Sequence, residues 1–293
     1  MNLELVENDN DHTEKSTQKR YTNKIGLILG TTVISGMILA AFLLPLPHDP
    51  FRPDPWTTLS GPSGTHWFGT DGVGRSVYSR SVHGTKLSLR IAAMVVVITI
   101  VAGATFGTLA GMGIRIGFIR VDDVIMRVMD GLMAIPGFLL ALSLVALLGA
   151  SVQNVVIAIS IADTPGVVRI VRSSVLSIKE LQFVEAARAI GANPIRVVTR
   201  HVMPQMVGPL IVQATYIFAL AILNEAGLSF LGAGVPPHIP SWGNMMGENR
   251  LYMQVAVWTV FFPGLCVAIT VLGVNLLGDG LRDNLDPRLR RLG

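Results

Sequence analysis

Residues 131–162 contain no charged side chain. A helix rises ~1.5 Å per residue and the hydrocarbon layer of a bilayer is about 30 Å thick, so this stretch is too long for one crossing. The polar run Gly149–Asn154 divides it into two spans, the second continuing past Asp163-Thr164-Pro165 towards Arg172. Four more apolar runs lie along the chain: Ile25–Leu46, Ile91–Ile114, Met206–Leu223 and Val255–Leu277. Lipid offers no partner to backbone donors and acceptors, and apolar runs of this length satisfy their own as helices. Only 14% of residues are charged, against about 25% in soluble proteins. The predicted fold class is an all-α polytopic membrane protein with six transmembrane helices.

The domain organisation follows the spans. Residues 1–24 read as a polar tail, 25–46 as the first helix, and 47–86 as an outer segment rich in Pro, Gly, Trp and Asp. Residues 87–280 form the transmembrane domain and 281–293 a basic tail. The first apolar run is too long for a signal-peptide core and has no small-residue cleavage site after it. Six crossings put both termini on one side, with Lys15, Lys19, Arg20, Lys24, the Arg115–Arg127 loop, the Arg172–Arg200 stretch and the C-terminal arginines. The other side has Arg52, Arg75, Arg80, Lys86, Arg90 and Arg250. The excess of positive charge places the termini in the cytoplasm. These membrane-flanking charges account for the net +4 without nucleic acid. The single cysteine, Cys266, sits in an apolar run and allows no internal disulfide.

One soluble-looking insert, residues 177–204, separates the fourth span from the fifth. Ser177 and Glu180 have the spacing of a capping box, Gly191 that of a left-handed C-terminal cap, and Asn193-Pro194 that of a second helix start, which Pro204 closes. Two short helices joined by a glycine bend make a compact knob. Its small-residue patch, Glu185-Ala186-Ala187, suits a groove on a partner. Elsewhere, Gly103, Gly107 and Gly111 recur at four-residue spacing, which predicts a close helix–helix contact in the core or at a partner subunit. Asp163, at membrane depth, must face protein or water; it either lines a translocation path or caps a helix restarted at Pro165. Glu225, near the outer end of span five, either lines a path or gate or pairs with Arg250.

The insert and several other stretches resemble one family. Glu185, Ala186, Ala187, Gly191 and Pro204 match the EAA loop of the membrane permease subunits of ABC importers. Phe68-Gly69-Thr70-Asp71, Gly74-Arg75 and Ser79-Arg80 are similar to the outer signature of dipeptide, oligopeptide and nickel permeases. Leu228-Ser229-Phe230-Leu231-Gly232, Pro240-Ser241-Trp242-Gly243 and the ending Asn275–Asp283 with Asp286-Pro287-Arg288 resemble the same group, in its shorter, C-type subunit. Ser76 stands where that signature usually has Asp, Thr164 where members often have Trp, and Gly227 where Ala is usual.

The resemblance implies a type I importer permease fold in a bacterial inner membrane, with the EAA loop as a coupling helix docked on a cytoplasmic ATPase. It implies as partners a homologous second permease, two ATPase subunits and an extracytoplasmic solute-binding protein. The chain has no G-x-x-x-x-G-K-[ST] phosphate loop, so ATP and magnesium are expected on the partner ATPase and no cofactor on this chain. Peptides are the first expected cargo and nickel the second. Two other classes compete: a membrane-embedded enzyme using Asp163, Glu225 and His48, and an ion-coupled transporter using Asp163 and Glu225 as a relay. The scatter of those residues over different depths weakens the first, and nucleotide dependence discriminates the second.

Overall fold

The computed structural model describes residues 25–285; the predicted tail 1–24 and the Asp286-Pro287-Arg288 ending lie outside them. Helices α1 (Ile25–Leu43), α2 (Val77–Gly111), α5 (Val152–Ile178) and α10 (Trp258–Leu285), with the run Pro194–Phe230, are long and apolar enough to cross a membrane. The sixth crossing is a broken pair, α3 (Val121–Met133) and α4 (Gly137–Leu148), bent by 87°. Pro136 explains the bend: it supplies no amide hydrogen, and its ring drives Ile135 out of helical backbone. The predicted break at Gly149–Asn154 covers the Gly149–Ser151 turn between α4 and α5 and the first turn of α5; Gly149 has φ +88 and the Ser151 hydroxyl accepts from Asn154 N at 3.1 Å.

Several predicted boundaries move. The second span begins at Val77 rather than Ile91, because Ser76 caps the helix and its first turns pack into a folded cap instead of into lipid. Helix α5 passes Pro165 without restarting, which removes the capping role for Asp163. Asn224, Glu225 and Gly227 belong to the fifth span's helix, α8 (Met203–Phe230).

The core is the seam between α2 and α5, which run parallel. Ile91, Val95, Val155 and Ile159 are fully buried there. Further along, a Cβ added at Gly103 would collide with Val167. Added at Gly107 or Gly111 it would lie 2.6 Å from the Cβ of Val171 or Val175. The glycine stripe of one helix therefore seats the valine stripe of the other within this chain.

One end of the bundle is closed by residues 48–76 and helix α9 (Trp242–Asn249); it is called the cap end. The Asp71 carboxylate accepts from Val73 N and Arg75 N, at 3.0 and 2.9 Å, and from Arg75 Nε at 2.7 Å. Arg80, only 1% exposed, reaches Glu248 Oε2 at 3.1 Å, and Arg75 meets the same oxygen at 2.6 Å. The cap is pinned to α9 by Gly72 N donating to Asn249 Oδ1 at 3.2 Å, and to α10 by Trp258 Nε1 donating to Thr70 O at 3.1 Å. The sequence places Arg75 and Arg80 among the charges of the outer side; they are neutralised by Asp71 and Glu248.

Candidate functional site

The opposite, linker end carries the insert. Helix α6 (Gln182–Ala189) follows α5 after a tight turn in which Leu181 N donates to Ile178 O at 3.1 Å. The expected Ser177–Glu180 capping box is not formed. Ser177 is inside α5 with its hydroxyl donating back to Ser173 O at 3.2 Å, and the N-cap position of α6 is Leu181, which makes no side-chain cap bond. Burial of Val171 and Val175 against α2 carries α5 through the position where the local pattern would start a new helix.

At the other end of α6 the local chemistry is as read. Gly191 has φ +83; its amide donates to Arg188 O at 2.9 Å and that of Ala192 to Ala187 O at 3.0 Å, the paired bonds of a Schellman cap. Asn193 Oδ1 then accepts from Ile195 N at 3.0 Å and starts α7 (Pro194–Val197). Pro204 does not close this helix. A π turn, Val198–Val202, widens the backbone ahead of it and Pro204 enters the first turn of α8, where a missing amide hydrogen is tolerated. Pro194–Phe230 is thus one helical run of 37 residues, roughly 55 Å long at 1.5 Å per residue.

Val184, Ala187 and Val197 are buried and hold the knob to the bundle. Glu185 and Ala186 are exposed, so the first two residues of the Glu185-Ala186-Ala187 patch face outward and the third faces in. Beside them Ile190 is 87% and Ile195 72% exposed. Sequence reasoning passed over these two; the signal was a large aliphatic residue on each side of the Gly191 bend. At the knob's base, Lys179 Nζ donates to Gly111 O at 3.3 Å, tying the turn to the end of the glycine stripe.

Two ion pairs fix α5 to α3 nearby. Arg172 grips Asp122 with two bonds of 2.6 and 2.7 Å, and Arg169 meets Asp130 at 2.6 Å. From the sequence, Arg172 counts only as a membrane-flanking charge and Arg169 is not singled out. Asp163 lies further along α5 towards the cap end, away from the knob. Glu225 is fully buried near the cap end and does not pair with Arg250. Its carboxylate accepts from Ser88 Oγ at 3.1 Å and Ser229 Oγ at 2.8 Å, bridging α8 to α2. His48, the third candidate of the enzyme reading, stacks on His66 in the cap. The three sites are not brought together.

The chain is thus a bundle of broken and unbroken spans, with an exposed two-helix knob feeding one continuous helix. Residues 103–291 match the family described as binding-protein-dependent transport system inner membrane component. The chain belongs to this family. A probable peptide ABC transporter permease of Sinorhizobium fredii is 47% identical over 90% of each chain. A dipeptide transport system permease of Alkalihalophilus pseudofirmus is 42% identical over 92% of this chain and 87% of its own. A chain of the MetNI methionine ABC transporter in an inward-facing conformation superposes with TM-score 0.56 at 18% identity, covering 70% of this chain and 95% of that one. As a family member the chain is an inner-membrane transport component, which accounts for its apolar helices and sets the enzyme reading aside. In this transport component Glu185, Ala186 and Gly191 lie together on the knob, Gly103, Gly107 and Gly111 in the core seam, and Asp163 and Glu225 at two separate depths.

Proposed function

We propose that the chain is one of two permease subunits of an ATP-driven importer for di- or oligopeptides. The observation that carries the coupling is the exposed Glu185–Ala186 face, flanked by Ile190 and Ile195, at the near end of a helical run that reaches Glu225 at the far end. On this reading the linker end faces the cytoplasm, as the exposed arginines around the knob support. Two ATPase subunits hydrolyse ATP with magnesium and one of them receives the knob; a solute-binding protein delivers cargo to the cap end. The rigid caps at Gly191 and Asn193 keep the knob from deforming under load, and α5 and α8 convert its displacement into movement of the spans. The partly exposed Asp163 of α5 lines the pathway, while Glu225 holds the cap end in shape. Peptide cargo is supported by the names of the relatives.

The test is co-purification and uptake in reconstituted vesicles. Wild type is expected to bring an ATPase with it and to take up labelled dipeptide only with ATP; Glu185→Lys is expected to lose either the ATPase or the link between hydrolysis and uptake. Uptake driven by an ion gradient without the ATPase would overturn the assignment. Competition by unlabelled dipeptide, oligopeptide and nickel assigns the cargo.

A further inference from the structure

The knob does not close fully against the end of α2. Between them lies a groove of about 480 Å³, with Leu109, Met112 and Ile114 on one wall and Arg188, Ile195 and Val198 on the other. Its volume is that of a small-ligand site, roughly 300–1,000 Å³. Among the described residues, Arg188 is the one charged side chain lining it, is exposed, and enters no salt bridge. The groove continues along the span. Ile98, Val101, Thr105 and Leu109 recur at helical three- and four-residue spacing and form an exposed face of α2, opposite the glycine stripe, that leads into it. An apolar face that rises through the membrane and ends beside an unpaired cation suits one kind of occupant: a hydrocarbon chain that carries an anion.

A second feature points to the same chemistry. Ile114, in the groove wall, opens a hairpin of two short strands, β1 (Arg115–Ile116) and β2 (Ile119–Arg120). Val121 N donates to Ile114 O at 3.1 Å and closes its base. The register sets Arg115 directly opposite Arg120. Like charges facing each other across a strand pair repel, and a nearby anion relieves them. Arg120 approaches Asp122 and Asp123, each at 3.8 Å, while among the described residues Arg115 enters no salt bridge. At the tip, Phe118 is fully exposed and Ile119 is 60% exposed. An aromatic tip between arginines, at the end of a spanning helix, has the composition of a segment that lies among lipid headgroups.

We propose that the groove between the end of α2 and the knob binds one anionic phospholipid. An acyl chain lies along the Ile98–Leu109 face and enters the groove against Met112 and Ile195. The phosphate is met by Arg188, with Arg115 adding positive charge beside the same wall, and Phe118 seats the hairpin in the surrounding headgroups. The site requires only that α2 crosses the membrane, and it holds whichever cargo the transporter carries.

Native mass spectrometry of the intact transporter released from detergent tests the site. The probes are phosphatidylglycerol, phosphatidylcholine with the same acyl chains, and glycerol phosphate. Phosphatidylglycerol is expected to stay bound to the wild type. Arg188→Gln is expected to weaken it about fivefold, the worth of one cation at a membrane surface, and to leave phosphatidylcholine unchanged. Ile195→Asn, on the apolar wall, is expected to weaken both lipids. Both positions are exposed, so neither variant puts the fold at stake. Equal binding of the two lipids, or phosphatidylglycerol binding that Arg188→Gln leaves untouched, overturns the anionic site. Glycerol phosphate that binds as tightly as the lipid overturns the acyl-chain half. Lipid that binds only after a partner subunit is stripped away shows the groove to be a protein interface, and the proposal falls. If no ATPase accompanies the chain, the importer reading fails while the lipid measurement still decides the site.

Discussion

At the cap end, Asp71, Arg75, Arg80 and Glu248 close a charge cluster in which Arg80 has almost no exposed surface, and Glu225 is held by hydroxyls from two helices. At the linker end, Glu185, Arg188, Arg196 and Arg200 are exposed, and among the described residues none of them enters a salt bridge. The two ends sit on the same helices but answer different demands. Polar groups turned inward and paired with one another make the cap a rigid lid whose shape its own contacts determine. Polar and aliphatic groups turned outward leave the knob's shape to two backbone caps and its partners to be supplied from outside. Substitutions at the cap should therefore act on folding, and those at the knob on transport.

The largest effect should come from Arg80→Ala. It leaves Glu248 with one cation and opens a buried site, and removing one partner of a buried pair costs about 3 kcal/mol. Thermal unfolding of the purified protein in detergent should show a large fall in midpoint and a reduced folded yield. A variant that unfolds like wild type would mean that Arg75 alone holds the cluster. Next in size is Gly107→Ala in the seam that joins the two ends. The new methyl meets Val171, and overpacking of this kind costs about 2 kcal/mol. Val171→Ala in the same chain should restore most of the loss, and a double-mutant cycle without coupling would show that the helices slide apart instead.

What could be read in the chain alone divides along the same line. The break at Gly149–Asn154, the Gly191 cap and the Asn193 start were legible because each is decided within a few residues. The glycine stripe was legible as a contact but not as a contact with Val167, Val171 and Val175, since nothing local names the opposing helix. Ser177 and Glu180 misled for the converse reason: the capping pattern is present, yet burial of Val175 against α2 is worth more than an exposed cap, and α5 runs on. Arg75 and Arg80 were legible as outer-side charges and signature residues but not as an ion cluster, because Glu248, which helps neutralise them, stands far away in the chain. Ile190 and Ile195 drew no expectation, since only the fold shows that they are left exposed.

The knob offers a finer test. Gly191→Ala places a side chain where φ is +83, at a cost of about 1 kcal/mol. Because Val184 and Val197 still anchor the knob, thermal stability should fall only slightly while ATP-dependent uptake falls severalfold, the reverse of the pattern expected for Arg80→Ala. Equal losses in both measurements would erase the distinction between the two ends.

The smallest effect is expected at Ser76, where the related outer signature usually has Asp. The Ser76 hydroxyl accepts from Ser79 N at 3.4 Å and starts α2, so the position asks for an N-cap, and Ser and Asp fill that role about equally. An aspartate would add a favourable charge at the helix start, with Arg80 one turn away. Ser76→Asp should therefore move stability by no more than about 0.5 kcal/mol and leave uptake and its cargo preference unchanged. Ser76→Ala should cost about 1 kcal/mol through the lost cap. Both variants can be read by thermal unfolding and competition uptake. If Ser76→Asp altered which peptides compete, the side chain would be reading cargo at the cap end, and the cap would have to be counted as part of the pathway.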